Sequence, residues 1–347
     1  MNIKAFVLEQ PQVIETILQT VPHELAALRR ISASDTIYLV GSGTSMNALV
    51  AVEPMLARLT PSRIRIKGPL AFMAEPSEEV QRTATAIILS QSGASTSTIE
   101  AIKYARSRGM RTLTLTAEPD SPIARIPGDM LIIPVGHEDV GPKTKGYTAS
   151  VLTLLLLFQM TVGHDLQAFQ FPKELSHLID RCVLVSSDLA RAFVGADIIM
   201  VMGQGRHYGT ALEGSLKIME MSGIPAVALD TEEAFHGRFH GLSQKSLAIF
   251  VACTRAQYDM ALMAAKVLSD LDISVCTLNT GGSSRTPYDI DLPWPSTDPL
   301  PELDLISAIV PFQLLAYHLA IRKGIVPENM KYPNLSQKLR IKTGEIP

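Results

Sequence analysis

Ile37-Tyr38-Leu39-Val40-Gly41-Ser42-Gly43 and Ile199-Met200-Val201-Met202-Gly203-Gln204-Gly205 are one phrase written twice, 162 positions apart. Each is a short apolar run closing on a glycine turn. The same offset lays Ala86-Ile87-Ile88-Leu89 on Ala248-Ile249-Phe250-Val251, and Thr112-Leu113-Thr114-Leu115 on Ser274-Val275-Cys276-Thr277. Three matches in register describe a duplicated unit. Runs of Ile, Val and Leu without polar alternation predict strands buried on both faces, hence parallel sheets covered by helices on either side. Further strands are expected at 63–67, 130–135 and 225–229. Helices are expected from Val21 to Arg30, over 45–58, up to Arg108, and over 147–162, 172–193, 207–222, 256–270 and 302–323. Pro172 sits in a favourable first-turn position. The fold class is therefore α/β, with a helical segment over 1–34, a first domain over 35–170, a second over 171–325 and a tail over 326–347. The Pro- and Gly-rich stretch from Gly281 to Pro301 is expected to cross the surface, and the tail to wrap over another element.

Composition narrows the class. The chain has 347 residues, 46 % of them apolar, and a net charge of −3. Two domains of this size can each bury a core. No basic stripe is present, so nucleic acid is not expected as a partner. Cys182, Cys253 and Cys276 are an odd number without metal-ligand spacing and read as buried reduced thiols. Val151 to Phe158 is about half the length a bilayer requires, and Met1 to Gln12 carries no export signal. The expectation is a soluble cytoplasmic protein without membrane contact. A mean hydropathy of +0.19 suggests apolar surface buried in a homo-oligomer.

The copies diverge where chemistry would sit. After its second matched strand, copy one reads Ser90-Gln91-Ser92-Gly93-Ala94-Ser95-Thr96, whereas copy two reads Ala252-Cys253-Thr254-Arg255. Ligands of doubly wound sheets bind at the carboxyl ends of strands, beside helix N-termini. Gly41-Ser42-Gly43-Thr44-Ser45-Met46 has only the first half of a dinucleotide fingerprint, because Met46 stands where a third glycine belongs. No acidic residue follows to hold a ribose, so no nicotinamide cofactor is expected. The Ser90–Thr98 loop suits a phosphate better. It offers Ser90, Ser92, Ser95, Thr96 and Thr98, with Gly93 allowing close backbone approach and a helix N-terminus following at once. Thr44 and Ser45 open a neighbouring helix that can reach the same anion. The competing reading is that these hydroxyls only cap helices.

A second block, Ala211-Leu212-Glu213-Gly214-Ser215-Leu216-Lys217-Ile218-Met219-Glu220, places Glu213, Lys217 and Glu220 on one helical stripe. Spacing alone leaves open a solvated face with a Glu–Lys pair. His236 and His240 have the spacing of two metal ligands on one helix. Gly237 is a poor helix residue, however, and no H-E-x-x-H pattern exists, so no metal site is expected and a glutamate base with a histidine acid is preferred.

Taken together, the two-copy layout, Ser90-Gln91-Ser92-Gly93, Ala211-Leu212-Glu213-Gly214 and the stretch from Glu233 to Gly237 resemble the sugar isomerase (SIS) domain family. The resemblance runs from about Asp35 to Arg340. Its nearest shapes are the isomerase half of glucosamine-6-phosphate synthase and the deglycases of 6-phosphorylated Amadori products. The resemblance implies two flavodoxin-like SIS domains, each an α/β/α sandwich. It implies that Thr44, Ser45, Ser90, Gln91, Ser92 and Ser95 hold a sugar phosphate, with Gly43 in the same pocket. It further implies that Glu220 is the acid/base at C1 and C2. His236 would act at the ring oxygen and C5 hydroxyl, reaching in from a neighbouring subunit of a homodimer or higher oligomer. Glu138 and the stretch Thr144-Lys145-Gly146-Tyr147-Thr148 look like an element closing the sugar pocket.

Departures from the family bear on the reaction. The sequence opens on the SIS part, so an ammonia source like the synthase's glutaminase domain is not expected. Asn334-Leu335-Ser336-Gln337 stands where the synthase has a lysine-bearing stretch, with Gln337 at the lysine position. His236-Gly237-Arg238 replaces the usual His-Gly-Pro. The expected enzyme is therefore a cofactor-independent deglycase of a 6-phosphofructosyl or 6-phosphoglucosyl amino acid. Alternatives are a phosphosugar aldose–ketose isomerase, an amino-sugar phosphate deaminase, or a non-catalytic phosphosugar-binding regulator.

Overall fold

A computed structural model describes residues 2–26, 35–75, 83–161, 163, 170–279, 289–291 and 300–343. They form two compact units, each discontinuous in sequence. The first comprises Gln12–Glu138, Lys145–Ala168 and Tyr332–Pro347; the second comprises Met1–Pro11, Asp139–Thr144 and Phe169–Lys331. Two helices, α1 (Ile3–Leu8) and α2 (Gln10–Ala26), precede the first strand. The helix expected from Val21 is thus the end of a longer one, and residues 27–30 lie outside the described residues.

In the first unit, β1 (Thr36–Val40), β2 (Arg63–Lys67), β3 (Thr85–Leu89), β4 (Arg111–Thr116) and β5 (Asp129–Ile132) form one parallel sheet in the order 2-1-3-4-5. Its helices are α3 (Thr44–Leu59), α4 (Pro69–Met73), α5 (Thr96–Ser107) and α6 (Lys145–Thr161). Tyr38, Val40, Ala86 and Ile88 point to one face and pack with Phe72, Ile99 and Ile102. Ile37, Leu39, Ile87 and Leu89, of opposite parity, are equally buried. Burial on both faces is why these strands read as unbroken apolar runs. β5 stops at Ile132, three residues before its expected end; Pro134 has no N–H to continue the ladder.

The second unit repeats the plan. It contains α7 (Phe171–Phe193), β6 (Ile199–Gly203), α8 (Arg206–Ser222), β7 (Ala226–Asp230), α9 (Thr231–Phe235), β8 (Leu247–Ala252), α10 (Arg255–Ser269), β9 (Ser274–Asn279), β10 (Ile290–Asp291) and α11 (Asp304–Arg322). Read from β7, the sheet order 7-6-8-9-10 is the same 2-1-3-4-5. Residues 281–288 and 292–299 of the expected surface crossing lie outside the described residues. The segment Pro301–Arg322 is apolar and long enough to cross a membrane, but 83 % of its most apolar window is buried, where α11 packs against α7 and α8. It is the core helix of this unit. Cys182, Cys253 and Cys276 are buried thiols outside any disulfide.

The tail belongs to the first unit and pairs with its serine loop. After the short helix α12 (Leu335–Lys338), Lys342 bridges Ser95 in antiparallel fashion. Thr96 N–H donates to Ile341 O, and Thr343 N–H to Ala94 O.

Candidate functional site

In the order 2-1-3, the chain leaves β1 and β3 toward opposite edges of the sheet, so their carboxyl ends flank a switch point. In the first unit the N-termini of α3 and α5 follow these two strands. Gly43 caps α3 at φ 55°, ψ −131°, a conformation glycine adopts readily, and as a glycine it offers no capping side chain of its own. Thr44 and Ser45 form the first turn. Gly93 has φ +59°, and a Cβ there would lie 2.0 Å from Ser121 Oγ, so the serine loop tolerates only glycine at this point. Ser95 occupies the N-cap of α5, yet its hydroxyl caps nothing and instead accepts from Thr98 Oγ1 at 2.9 Å. Capping therefore does not account for the Ser95 hydroxyl, while that of Thr96 donates to Arg340 O of the tail at 3.2 Å. Ser90 and Gln91 are buried, while Ser92 is partly accessible. The Gln91 amide is packed so closely over the first turn of α6 that a Cβ on Gly146 would be 1.6 Å from its nitrogen. Both amide atoms are buried without a hydrogen-bond partner among the described residues. Such orphaned groups are rare and mark a place where a ligand can bond.

Glu138 has another place. Its carboxylate accepts from Lys145 N–H at 3.1 Å and Gly146 N–H at 3.0 Å, closing the N-terminus of α6. Lys145 is buried, with its Nζ 3.8 Å from where a Gly136 Cβ would stand. Gln337 is exposed on α12.

Copy two has closed the corresponding positions. Gly205 caps α8 at φ 58°, ψ −128°, the backbone of Gly43 almost unchanged. However, Thr254 caps α10 with its own side chain: Oγ1 accepts from Gln257 N–H at 3.2 Å, and Gln257 Oε1 accepts from Thr254 N–H at 3.1 Å. This complete capping box contrasts with α5, whose N-cap Ser95 makes no side-chain capping bond.

The second unit instead carries the acidic stripe on α8. Lys217 and Glu213 are fully buried and 3.3 Å apart; Lys217 Nζ lies 2.5 Å from Glu220 Oε2, on a side chain that is 20 % exposed. The solvated-face reading is thus overturned. Gly214 lets α8 approach α11, where a Cβ would come within 2.7 Å of the Phe312 ring, and Lys217 lies fully buried on this packed helix. Burial lowers the Lys217 pKa, but Glu213 and Glu220 outweigh it, and the net shift is upward. Lys217 therefore stays an ammonium that fixes the Glu220 carboxylate. His236 is exposed at the C-cap of α9, its backbone N–H donating to Glu233 O at 3.2 Å. No hydrogen bond joins it to Glu220 among the described residues. α9 ends at Phe235 and Gly237 turns at φ +91°, so His236 and His240 do not share a helix face.

Sequence reading missed a buried group at the carboxyl ends of β6 and β8. Arg206 Nε and a terminal guanidinium nitrogen donate to Asp304 at 2.9 and 2.5 Å, and His207 Nε2 lies 3.1 Å from Asp304 Oδ2. Ligand atoms of His207, Cys253 and Asp304 all fall within 4.8 Å of one another. Burial lowers the His207 pKa, but Cys253 and Asp304 push it up to about 10. Burial raises that of Asp304, and His207 and Arg206 more than reverse it. The one signal in the sequence was the repeat itself, which lays His207 on Ser45 and Cys253 on Gln91.

Known proteins share this architecture. The glutamine–fructose-6-phosphate aminotransferase (isomerizing) of Gloeobacter violaceus is 28 % identical over 345 residues, which cover 91 % of this chain and 55 % of that protein. The chain thus spans about half the length of that relative. A structure from Clostridium difficile 630, provisionally described as a phosphosugar isomerase, matches with a TM-score of 0.86 and 22 % identity over 98 % of both chains. Glucosamine-6-phosphate deaminase from Thermotoga maritima matches with a TM-score of 0.73 and 22 % identity, covering 93 % of this chain and 98 % of that one. At such identities the structures speak for the fold. The SIS domain profile matches residues 30–160 and 193–288, one block per copy and more than half of the chain, and the protein belongs to the SIS domain family.

Proposed function

We propose that the protein is a phosphosugar enzyme, and specifically a deglycase that releases glucose 6-phosphate and a free amine from a 6-phosphofructosyl- or 6-phosphoglucosyl-amino acid. The observation that carries the reading is the Glu213–Lys217–Glu220 triad, in which a buried ammonium holds one partly accessible carboxylate in place. A carboxylate so held can take a proton at one carbon of a sugar and return it to the next. The family membership and the serine loop, with its orphaned Gln91 amide, support a phosphorylated sugar as the substrate. Thr44, Ser45, Ser90, Gln91, Ser92 and Ser95 would bind its phosphate through hydroxyl and amide groups and helix N-termini.

On a 1-amino-1-deoxyketose, Glu220 removes a C1 proton to form the enaminol. Protonation at C2 gives the aldose imine. Water adds to the imine carbon, and collapse of the carbinolamine expels the amine and leaves glucose 6-phosphate. The route consumes one water and needs no cofactor. The exposed His236 is assigned to ring opening in the active site of a neighbouring copy, which makes the working unit at least a homodimer, taken to be cytoplasmic. Gln337 in place of the family lysine favours hydrolysis over amide transfer.

Incubation with phosphorylated ketosamines and with fructose 6-phosphate, followed by assay of glucose 6-phosphate, tests the reading. Product from a ketosamine, with release of its amine, supports the deglycase. Turnover of fructose 6-phosphate alone would make the protein an aldose–ketose isomerase, the reading favoured by the likeness to phosphosugar isomerases.

A further inference from the structure

The Arg206–His207–Cys253–Asp304 group is unused by the proposed chemistry, and its composition is unusual for a core. An imidazole, a thiol and a carboxylate converge from three elements: the first turn of α8, the residue after β8 and the first residue of α11. All three residues are at most 3 % exposed. We propose that His207, Cys253 and Asp304 form a binding site for a borderline-soft divalent cation of the zinc class, which ties these three elements together.

Nitrogen, sulfur and oxygen donors on one side chain each are the set such a cation selects. In a tetrahedral site donor atoms lie a few Å apart, as the spread within 4.8 Å and the 3.1 Å between His207 Nε2 and Asp304 Oδ2 allow. The outer partners of a metal site are already in place. His207 Nδ1 is 3.3 Å from Thr210 Oγ1, which orients the ring. Arg206 grips Asp304 through both carboxylate oxygens and fixes its rotamer. Ligands held from behind in this way are what tight metal sites require. Arg206 is 21 % exposed and marks the way in. The fourth position would hold a water. The cation replaces the thiol proton of Cys253 and the proton shared between His207 and Asp304, so binding releases protons to solvent.

The duplicated backbone explains why such a group arises here. Gly43 and Gly205 turn into α3 and α8 with nearly the same φ and ψ. Copy one has Thr44 and Ser45 after that turn; copy two has Arg206 and His207. The site is independent of the deglycase reading and acts on stability and on the order of α8.

The test is titration of chelator-treated protein with Co²⁺, followed by absorption, and with Zn²⁺, followed by calorimetry and melting. One Co²⁺ per chain with a thiolate-to-metal charge-transfer band is expected, together with a Tm raised by Zn²⁺. Cys253→Ser, close in volume and checked for an unchanged circular dichroism spectrum, should abolish the band and weaken Zn²⁺ binding at least tenfold. His207→Gln should do the same. No band in the parent protein, or a band that persists in both variants, would overturn the proposal. The four residues would then be an ion-pair network alone.

Discussion

The ammonium of Lys217, wholly buried, stands 2.5 Å from the carboxylate of Glu220, whose side chain alone in the triad reaches solvent. Glu213 lies behind it at 3.3 Å, fully buried. Removing one member of a buried pair leaves an uncompensated charge and costs about 3–5 kcal/mol. Lys217→Met keeps the volume of the side chain and strands Glu213. Its Tm should fall markedly, while the double variant Lys217→Met/Glu213→Gln should recover much of the loss. A single variant as stable as the parent in thermal melts would show that the pair does not hold α8.

The same lysine sets an alkaline limit. Its folded pKa is raised above the ordinary 10.5, because the two carboxylates outweigh burial. A raised pKa contributes stability that is complete below the unfolded value and fades as pH climbs through the folded one. Denaturant unfolding between pH 9 and pH 12, a window on the order of the cited values, should show stability declining above about pH 10.5. The decline should be smaller in the Lys217→Met/Glu213→Gln variant. Equal slopes in both proteins would assign the alkaline loss to other groups.

The two copies predict opposite outcomes for one kind of substitution. Ser92 belongs to the open loop of copy one, and a hydrogen bond to a charged group contributes about 1.5–3 kcal/mol. Ser92→Ala should weaken sugar-phosphate binding roughly tenfold to a hundredfold with an unchanged melting curve. Thr254 closes α10 with a capping box, and losing such a cap costs about 1 kcal/mol. Thr254→Ala should lower stability and leave sugar-phosphate binding intact. Calorimetry and thermal melts on the same two proteins decide it; a reversed pattern would move the phosphate to copy two.

The sheets were legible because burial on both faces writes strands such as Ile37–Val40 and Ala86–Leu89 as unbroken apolar runs. The serine loop was legible because copy two serves as its control. Most of α2 was not, since Pro11 and Pro22 interrupt the pattern that defines a helix. The state of Glu213 and Lys217 was also hidden, because charges four apart look alike on a wet and on a dry face. The face is dry because α8 packs against α11, which lies some hundred residues on. The His207–Cys253–Asp304 group escaped for the same reason: its members are far apart in sequence and meet only through sheet order.

Sharing of the active site between copies follows from the assignment of His236. It is exposed, and among the described residues no hydrogen bond joins it to Glu220. Glu220→Gln and His236→Ala homo-oligomers should both be inactive. After subunit exchange the mixture should regain a fraction of the parental rate, since a site formed from the two intact residues reappears in each mixed pair. Verified hetero-oligomers without recovered activity would place both residues in one chain's site.

Proton transfer by Glu220 is the most direct test of the proposed chemistry. A positioned general base contributes typically 10²–10⁴-fold. Glu220→Gln keeps the shape and the hydrogen bond to Lys217 but removes basicity. It should reduce turnover by about that factor while sugar-phosphate binding, assigned to copy one, stays near the parental value. In deuterated water the parent should release glucose 6-phosphate labelled at C2 when the substrate is a ketosamine, because the proton returned there comes from a carboxyl that has exchanged with solvent. The Gln variant should release almost none. Turnover within tenfold of the parent would make Glu220 a partner of Lys217 only. The base would then have to be Glu233, the exposed carboxylate beside His236, since Glu138 already spends both oxygens on the α6 N-terminus.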